Sequence, residues 1–392
     1  MIDRKLIDDC VHCGFCLPAC PTYQSWGKEM DSPRGRIVLM KSLVEGHEMS
    51  ATMIEHFDRC LGCMACVPAC PSGVKYDQLI MQTRAEVERV RGSWFRRMLF
   101  TMLPYPKRMR ALLLPQMLGK PFLKFLKLLP PITRHHLTAK LPAFTAAKSP
   151  RRARVALVAG CVQRVYFPSV NEATIRVLSA EGCDVIVPRD LGCCGTLSAH
   201  AGRDKEAKRF EAKAVDAIKR QNVDAVVVNA AGCGSWMKEW GSVPVKDINE
   251  FLIELGPVAE RHPIKVKAAY HDACHLAHAQ RIRSQPRQLL AQIPGVEILE
   301  IPDGDQCCGS AGIYNLVEPE SAREIGERKV VNILTTDAEL LVSANPGCTL
   351  QISRLLRERG NWMPTAHVIE LLDASIRGAG VPPAIAERLA RR

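Results

Sequence analysis

From residue 153 onward, short aliphatic runs alternate with longer helical stretches. The runs at 155–158, 223–228, 296–299 and 340–342 are rich in β-branched residues and predict strands. Residues 203–219 and 319–334 read as helices between them. Strands alternating with helices predict a parallel α/β sheet. Upstream, residues 34–45 predict a helix. Residues 94–130 read WFRRMLFTMLPYPKRMRALLLPQMLGKPFLKFLKLLP, with apolar clusters alternating with Lys and Arg. The longest uncharged run there is nine residues, far short of the ~18 that span a bilayer.

The α/β part is written twice. VALVAGC (155–161) matches VKAAYHDAC (266–274), LGCCG (191–195) matches DQCCG (305–309), and VVVNAAGC (226–233) matches LVSANPGC (341–348). The cysteine spacings agree to one residue: 32 then 39 in the first copy, 33 then 40 in the second. Three anchors kept in register indicate an internal duplication. The predicted organisation is residues 1–88, a basic linker over 89–152, and two α/β copies over 153–260 and 266–380.

The chain has 392 residues, enough for two or three domains, and 47% hydrophobic with 24% charged residues is an ordinary globular balance. Aromatic residues, at 5%, are too few for a base-stacking surface. The net charge of +12 is uneven: residues 89–171 carry 17 Lys and Arg and no acid. Seventeen cysteines are the abnormal figure. The opening MIDRKLIDDC has no apolar signal segment, so a reducing cytoplasmic setting is expected, where dense cysteines mean metal rather than disulfides.

Eight of them form two identical runs: Cys10, Cys13, Cys16 and Cys20-Pro21, then Cys60, Cys63, Cys66 and Cys70-Pro71. This is the bacterial ferredoxin spacing, present twice. Three thiolates two residues apart wrap one cubane, and the fourth, before Pro, reaches the other cluster. The expected sets are Cys10, Cys13, Cys16 and Cys70 on one [4Fe-4S] cluster, and Cys60, Cys63, Cys66 and Cys20 on the second. Gly14 and Gly62 let the backbone turn tightly toward sulfur. All-thiolate zinc sites usually take their ligands as two separate pairs, so the spacing favours cubanes.

The 39 residues between the runs, with their helix, make this part similar to the helical ferredoxin module of fumarate reductase and succinate dehydrogenase iron–sulfur subunits. The two copies that follow resemble the cysteine-rich CCG domains of heterodisulfide reductase. That family pattern ends in Cys-x2-Cys. Here Trp236 and Gln351 stand where the last cysteine would be. What remains is Cys161, Cys193, Cys194 and Cys233 in one copy, and Cys274, Cys307, Cys308 and Cys348 in the other. The resemblance implies a further iron–sulfur cluster or another metal in at least one copy; the alternative is a set of buried free thiols. His200, His271 and His275 lie close in sequence to these cysteines and offer further ligands, although each alone reads as a hydrogen-bonded structural histidine. Cys183 falls outside the pattern and is expected to be a small buried hydrophobe.

SPRGRI (32–37), LGCCGTLSAHAG (191–202), YHDACHLAHAQ (270–280) and QCCGSAGIYNL (306–316) narrow the resemblance to the glycolate oxidase (glycolate dehydrogenase) iron–sulfur subunit family. The anaerobic glycerol-3-phosphate dehydrogenase iron–sulfur subunit shares the architecture, and lactate-utilisation CCG proteins fit less well. The implied fold is α+β and multidomain: a helical ferredoxin domain with two [4Fe-4S] clusters, then duplicated α/β CCG domains. The implied function is electron transfer. An FAD-containing partner oxidises glycolate to glyoxylate, and electrons pass through this chain toward a membrane quinone. No G-x-G-x-x-G after a strand, P-loop or Ser-His-Asp signature is present, so substrate chemistry is expected on the partner and no catalytic residue is assigned here. Two other classes remain open: a disulfide reductase working at a CCG metal site, and a non-redox binding protein stapled by its clusters.

The basic stretch, residues 94–129 above all, predicts peripheral attachment to the inner face of the cytoplasmic membrane. Apolar insertion and roughly 1 kcal/mol per cation near anionic lipid would act together. A solvated linker or a docking face for the flavoprotein is the alternative. Many large aliphatics with few polar base readers fit nucleic acid badly.

Overall fold

The computed structural model describes residues 2–91, 93–117 and 132–381. The N-terminal part is helical: α1 (Arg4–Asp8), α2 (Pro21–Trp26), α3 (Pro33–Val44), α4 (Ala51–Arg59) and α5 (Tyr76–Val90). The Ser32 and Ser50 hydroxyls start α3 and α4 by accepting from the backbone N–H of Gly35 and Met53. Pro21 and Pro33 occupy first turns, where a missing N–H is no loss. Ile37, Met40, Phe57, Leu79 and Ile80 close a small core against the cysteine runs.

Then come α6 (Trp94–Met102), α7 (Pro106–Met117) and α8 (Arg134–Thr138). The sequence reads as an amphipathic stretch free to meet a membrane. Instead, α6 and α7 turn their apolar sides inward: Leu99 and Phe100 pack with Ala201 and Ile313, and Met109 and Leu113 with Val165 and Tyr166. The part of the basic stretch from 118 to 129 lies outside the described residues.

The first α/β copy runs β1 (Phe144–Thr145), β2 (Ala153–Val158), α9 (Cys161–Tyr166), α10 (Pro168–Ala180), β3 (Cys183–Ile186), α11 (Thr196–His200), α12 (Asp204–Lys219), β4 (Ala225–Val228), α13 (Ala231–Lys238), β5 (Val245–Asp247) and α14 (Ile248–Leu255). The second runs β6 (Val266–His271), α15 (Ser284–Ala291), β7 (Val296–Glu300), α16 (Tyr314–Val317), α17 (Pro319–Leu334), β8 (Leu340–Ser343), α18 (Pro346–Glu358), β9 (Thr365–Ala366) and α19 (Val368–Ile376). Sheet order is β1-β3-β2-β4-β5 in one copy and β7-β6-β8-β9 in the other. Without β1, which pairs antiparallel, the two orders are the same and wholly parallel. Val155 stands opposite Val185 and Ala225; Ala268 stands opposite Ile298 and Leu340. Central strands buried on both faces need the near-continuous aliphatic runs seen in the sequence.

Helices α10 and α14 pack against α15 and α19, so the two sheets share one core across a double helical layer. Arg176 on α10 also makes a paired hydrogen bond to Asp373 on α19, both at 2.9 Å. Cys183 on β3 is fully buried in that core. Cys161, Cys233, Cys274 and Cys348 all follow closely on the carboxyl ends of β2, β4, β6 and β8, where open parallel sheets place their ligands.

Candidate metal centres

The two N-terminal runs come together crosswise. One cavity is lined by Cys10, Cys13, Cys16 and Cys70, with Gly14 and Arg34. A second is lined by Cys20, Cys60, Cys63 and Cys66, with Arg36 and Tyr76. Three cysteines of one run thus meet the last cysteine of the other. Gly14 and Gly62 sit at φ +87° and +61°, and a Cβ there would press on Arg34 and Arg84. None of the cysteines is in a disulfide. Four thiols around each of two cavities fit a pair of four-iron clusters.

The surroundings of the two sets differ. Cys13 is exposed, and Cys10, Cys16 and Cys70 are half-buried, whereas Cys20, Cys60, Cys63 and Cys66 are all buried. Burial pushes Cys16 up to about 11, and Cys63 and Cys66 well above an ordinary thiol. Burial pushes Cys60 the same way, yet Arg36 and Arg84 outweigh it and bring that thiol below its ordinary value. The Gly62 N–H at 3.4 Å and the Tyr76 hydroxyl at 3.7 Å donate to its sulfur. Such donors stabilise thiolate and tune a cluster bound through it.

Arg36 is 1% exposed. Its Nε donates to the His56 carbonyl at 2.7 Å and its guanidinium lies 3.6 Å from Asp31. Arg34, two residues earlier, faces the first cavity and pairs with Glu29 at 2.6 Å. Between them, Gly35 passes so close to Glu29 that a Cβ would lie 2.0 Å from its carbonyl oxygen. One turn of α3 therefore delivers one arginine to each set. SPRGRI holds these residues, but nothing in its spacing announces that role.

The C-terminal cysteines share one cavity. Cys161, Cys193, Cys194 and Cys233 line it together with Cys274, Cys307, Cys308 and Cys348. The sequence separates them into two copies, but the duplicated sheets turn the carboxyl ends of β4 and β8 toward each other. Ala231 N–H bonds the Ala344 carbonyl at 3.1 Å, and Gly232 N–H the Asn345 side chain at 3.2 Å. Within each copy the sulfurs form a chain: Cys161 to Cys193 at 3.6 Å, on to Cys194 and Cys233; and Cys274 to Cys307, Cys308 and Cys348. Hydrogen bonds from Cys193, Cys233 and Thr196 bring Cys194 well below an ordinary thiol despite its burial. Its counterpart Cys308 is raised. Gln351, in the place of the missing last cysteine, is committed elsewhere: it donates to the Ala322 carbonyl at 3.2 Å and accepts from Asn315 at 3.1 Å.

The three histidines separate. His200 and His275 meet Nε2 to Nε2 at 3.1 Å, and His275 Nδ1 lies 3.5 Å from Cys274 Sγ. Burial lowers both, His275 to about 4, so both rings are neutral near pH 7. His271, at the end of β6, departs from expectation: it is fully buried, and neither ring nitrogen has a hydrogen-bond partner. It lies with the sulfurs of Cys308 and Cys348, all three ligand atoms within 4.8 Å of one another.

The N-terminal set and the C-terminal cavity adjoin. Cys63 packs in one buried cluster with Cys274, Cys307, Leu61 and Tyr314. Arg84 bridges the two parts, donating to the His200 carbonyl at 2.9 Å and to that of Cys60. Gly202 accepts the close approach of α5: a Cβ there would lie 2.2 Å from the Arg84 carbonyl oxygen.

Residues 6–74 match a 4Fe-4S dicluster domain, and residues 155–238 and 268–353 each match a cysteine-rich CCG domain. A probable glycolate oxidase iron–sulfur subunit of Bacillus subtilis is 34% identical, with 97% of this chain and 95% of that protein covered. The glycolate oxidase iron–sulfur subunit of Escherichia coli is 32% identical, with 95% of both covered. A fumarate reductase (CoM/CoB) subunit of Methanothermobacter marburgensis is 30% identical over 56% of this chain and 46% of its own length. Among solved structures, a hypothetical protein from Helicobacter pylori shares the fold at TM-score 0.54 and 10% identity, covering 96% of this chain and 77% of that one. With two ferredoxin runs, duplicated CCG copies and end-to-end likeness, the chain belongs to the glycolate oxidase iron–sulfur subunit family.

Proposed function

We propose that this chain is the electron-transfer subunit of a glycolate dehydrogenase complex, with the oxidation of glycolate to glyoxylate carried out on an FAD-containing partner. The observation that supports it most is the crosswise meeting of the two cysteine runs, with the buried set lying against the C-terminal cysteines. Cys10, Cys13, Cys16 and Cys70 would hold one [4Fe-4S] cluster, and Cys20, Cys60, Cys63 and Cys66 the other. When bound, such clusters accept and release single electrons. The exposed Cys13 makes the first set reachable by a partner. Arg36 and the Gly62 N–H offset negative charge at the second. Cys63 hands the path on to Cys274 and Cys307, where the C-terminal cysteines would hold a further metal centre.

A membrane quinone is the acceptor in this reading. Among the described residues no helix is long and apolar enough to cross a membrane, so the contact would be peripheral, on the inner face of the cytoplasmic membrane. With the apolar sides of α6 and α7 buried, it would rest on the exposed Trp94, Arg97, Lys107, Arg108 and Leu114 and on the sequence beyond 118. A flavoprotein docked on that same face is the second reading, favoured by the inward packing of both helices.

The test is anaerobic isolation of the complex, followed by titration with glycolate, glycerol 3-phosphate and D-lactate while cluster EPR signals are recorded. Glycolate should reduce the clusters. Reduction by either of the others alone would move the chain to a related dehydrogenase. Reduction of a disulfide by the isolated chain would favour a CCG-site reductase.

A further inference from the structure

We infer that His271 is a nitrogen ligand to a metal held by Cys308 and Cys348, which makes the second CCG copy chemically unlike the first. This rests on the reading that the second copy's cysteines bind metal. His271 ends β6, three residues before Cys274, and is 0% exposed. A buried imidazole normally gives its N–H to a carbonyl or carboxylate and takes a donor on the other nitrogen. Here both nitrogens are without a partner. A metal bond to one of them removes half of that standing penalty.

The geometry suits a single ion. One nitrogen of His271 and the sulfurs of Cys308 and Cys348 lie within 4.8 Å of one another. Ligands bonded to one ion at ~2.0–2.3 Å stand about 3–4 Å apart, so closure asks only small side-chain movements. Two thiolates and an imidazole select zinc or iron over hard cations. Asn345 Nδ2 donates to Cys348 Sγ at 3.3 Å, holding that sulfur from outside, as second-sphere donors do.

The first copy supplies the contrast. Val158 stands three residues before Cys161, as His271 stands before Cys274. It packs in an apolar cluster with Cys194 and offers no donor atom. Gln351 does not fill the lost cysteine's role, because both ends of its amide are engaged. His271 is an unpaired nitrogen donor beside Cys308 and Cys348.

The experiment uses the full chain, isolated anaerobically, with and without 15N in the histidine rings. Iron and zinc are counted; nitrogen hyperfine coupling is read if the centre is paramagnetic, and imidazole scattering at the zinc edge if it is zinc. We expect a histidine-nitrogen signature that His271→Val abolishes, with metal falling to the level of a Cys307→Ser/Cys308→Ser variant and the N-terminal cluster signals intact. His271→Cys should keep the metal and lose the nitrogen signature. Full metal with no histidine nitrogen in the unsubstituted chain overturns the inference and leaves the metal-binding reading standing. No metal beyond the eight N-terminal cysteines overturns both. Should His271→Val also lose the N-terminal signals through misfolding, His271→Cys decides: full metal with the histidine-nitrogen signature retained there, from a ring such as His275 beside Cys274, overturns the inference.

Discussion

The two CCG copies have the same strand order, the same cysteine spacing to within one residue and the same left-handed glycine after each Cys-Cys pair. Their sulfur surroundings nevertheless differ. In the first copy Val158 and Ala230 occupy the places of His271 and Asn345, and Cys194 Sγ has a hydroxyl partner in Thr196 at 3.1 Å. Both sets bond sulfur to sulfur, but the first adds a hydroxyl partner, while the second is flanked by a nitrogen with nothing to bind and an amide aimed at sulfur. Duplication preserved what the backbone needs. Side chains at the strand ends, which the backbone does not constrain, are where the copies became different.

The strongest way to break this contrast is to remove sulfur from one copy at a time. Cys307→Ser/Cys308→Ser should strip the second copy of metal entirely, and Cys193→Ser/Cys194→Ser should strip only the first. Elemental analysis of iron and zinc, with the N-terminal EPR signals as a folding control, reads the result. Unchanged metal in the Cys193/Cys194 variant would mean that the first copy carries buried free thiols and that only the second is a metal centre.

The shared backbone can be tested at the glycines. Gly195 and Gly309 have φ of +88° and +80°. An added Cβ would lie 2.9 Å from the Ala207 carbonyl oxygen in one case and 2.4 Å from that of Ala322 in the other. Gly195→Ala should cost about 1–3 kcal/mol for the backbone conformation. Both Cβ atoms meet backbone oxygen, which cannot step aside as a side chain would, and the closer approach makes Gly309→Ala cost more, by roughly another 1–3 kcal/mol of overpacking. Urea midpoints of the intact protein should therefore fall in both variants and fall further for Gly309→Ala. Equal midpoints would show that α17 moves freely against the Cys307–Cys308 turn.

Much of this was legible in the sequence because it is encoded locally. Residues 319–334 form α17 as read, 34–45 differs from α3 by one residue at each end, and the strand runs fall within a residue or two of β2, β4, β7 and β8. The 3+1 expectation comes from the ferredoxin spacing; Cys10, Cys13, Cys16 and Cys70 line one cavity, and Cys20, Cys60, Cys63 and Cys66 the other. What spacing does not carry is how the copies face each other. That depends on α10 and α14 meeting α15 and α19, a long-range packing with no local signal, and it gathers eight cysteines around one cavity. The same blindness hid the inward packing of α6 and α7. Amphipathic pattern reports that a helix has an apolar side, not whether protein or lipid covers it.

The smallest effect expected carries the comparison into the N-terminal pair, where two cysteine sets again share a motif and differ in surroundings. Arg34 serves the half-exposed set and is itself 29% exposed, so water screens its charge. Arg36 serves the buried set at 1% exposure. Burial opposes its charge, yet Cys60, Tyr76, Cys20 and Asp31 outweigh that and hold its proton more tightly than usual. A fixed cation favours the more reduced, more negative state of a neighbouring cluster. Arg36→Gln should therefore lower the potential of the cluster held by Cys20, Cys60, Cys63 and Cys66, by about 60 mV, a tenfold shift for a one-electron couple. Asp31 stays paired in that variant, with His56 at 2.9 Å and Arg59 at 3.2 Å, so the loss is one of charge near sulfur rather than of a buried carboxylate left alone. Arg36→Lys should recover most of the shift, and Arg34→Gln should move the other cluster by less. An EPR-monitored redox titration separates the two centres. Equal displacements from Arg34→Gln and Arg36→Gln would mean that burial does not set the difference between the sets.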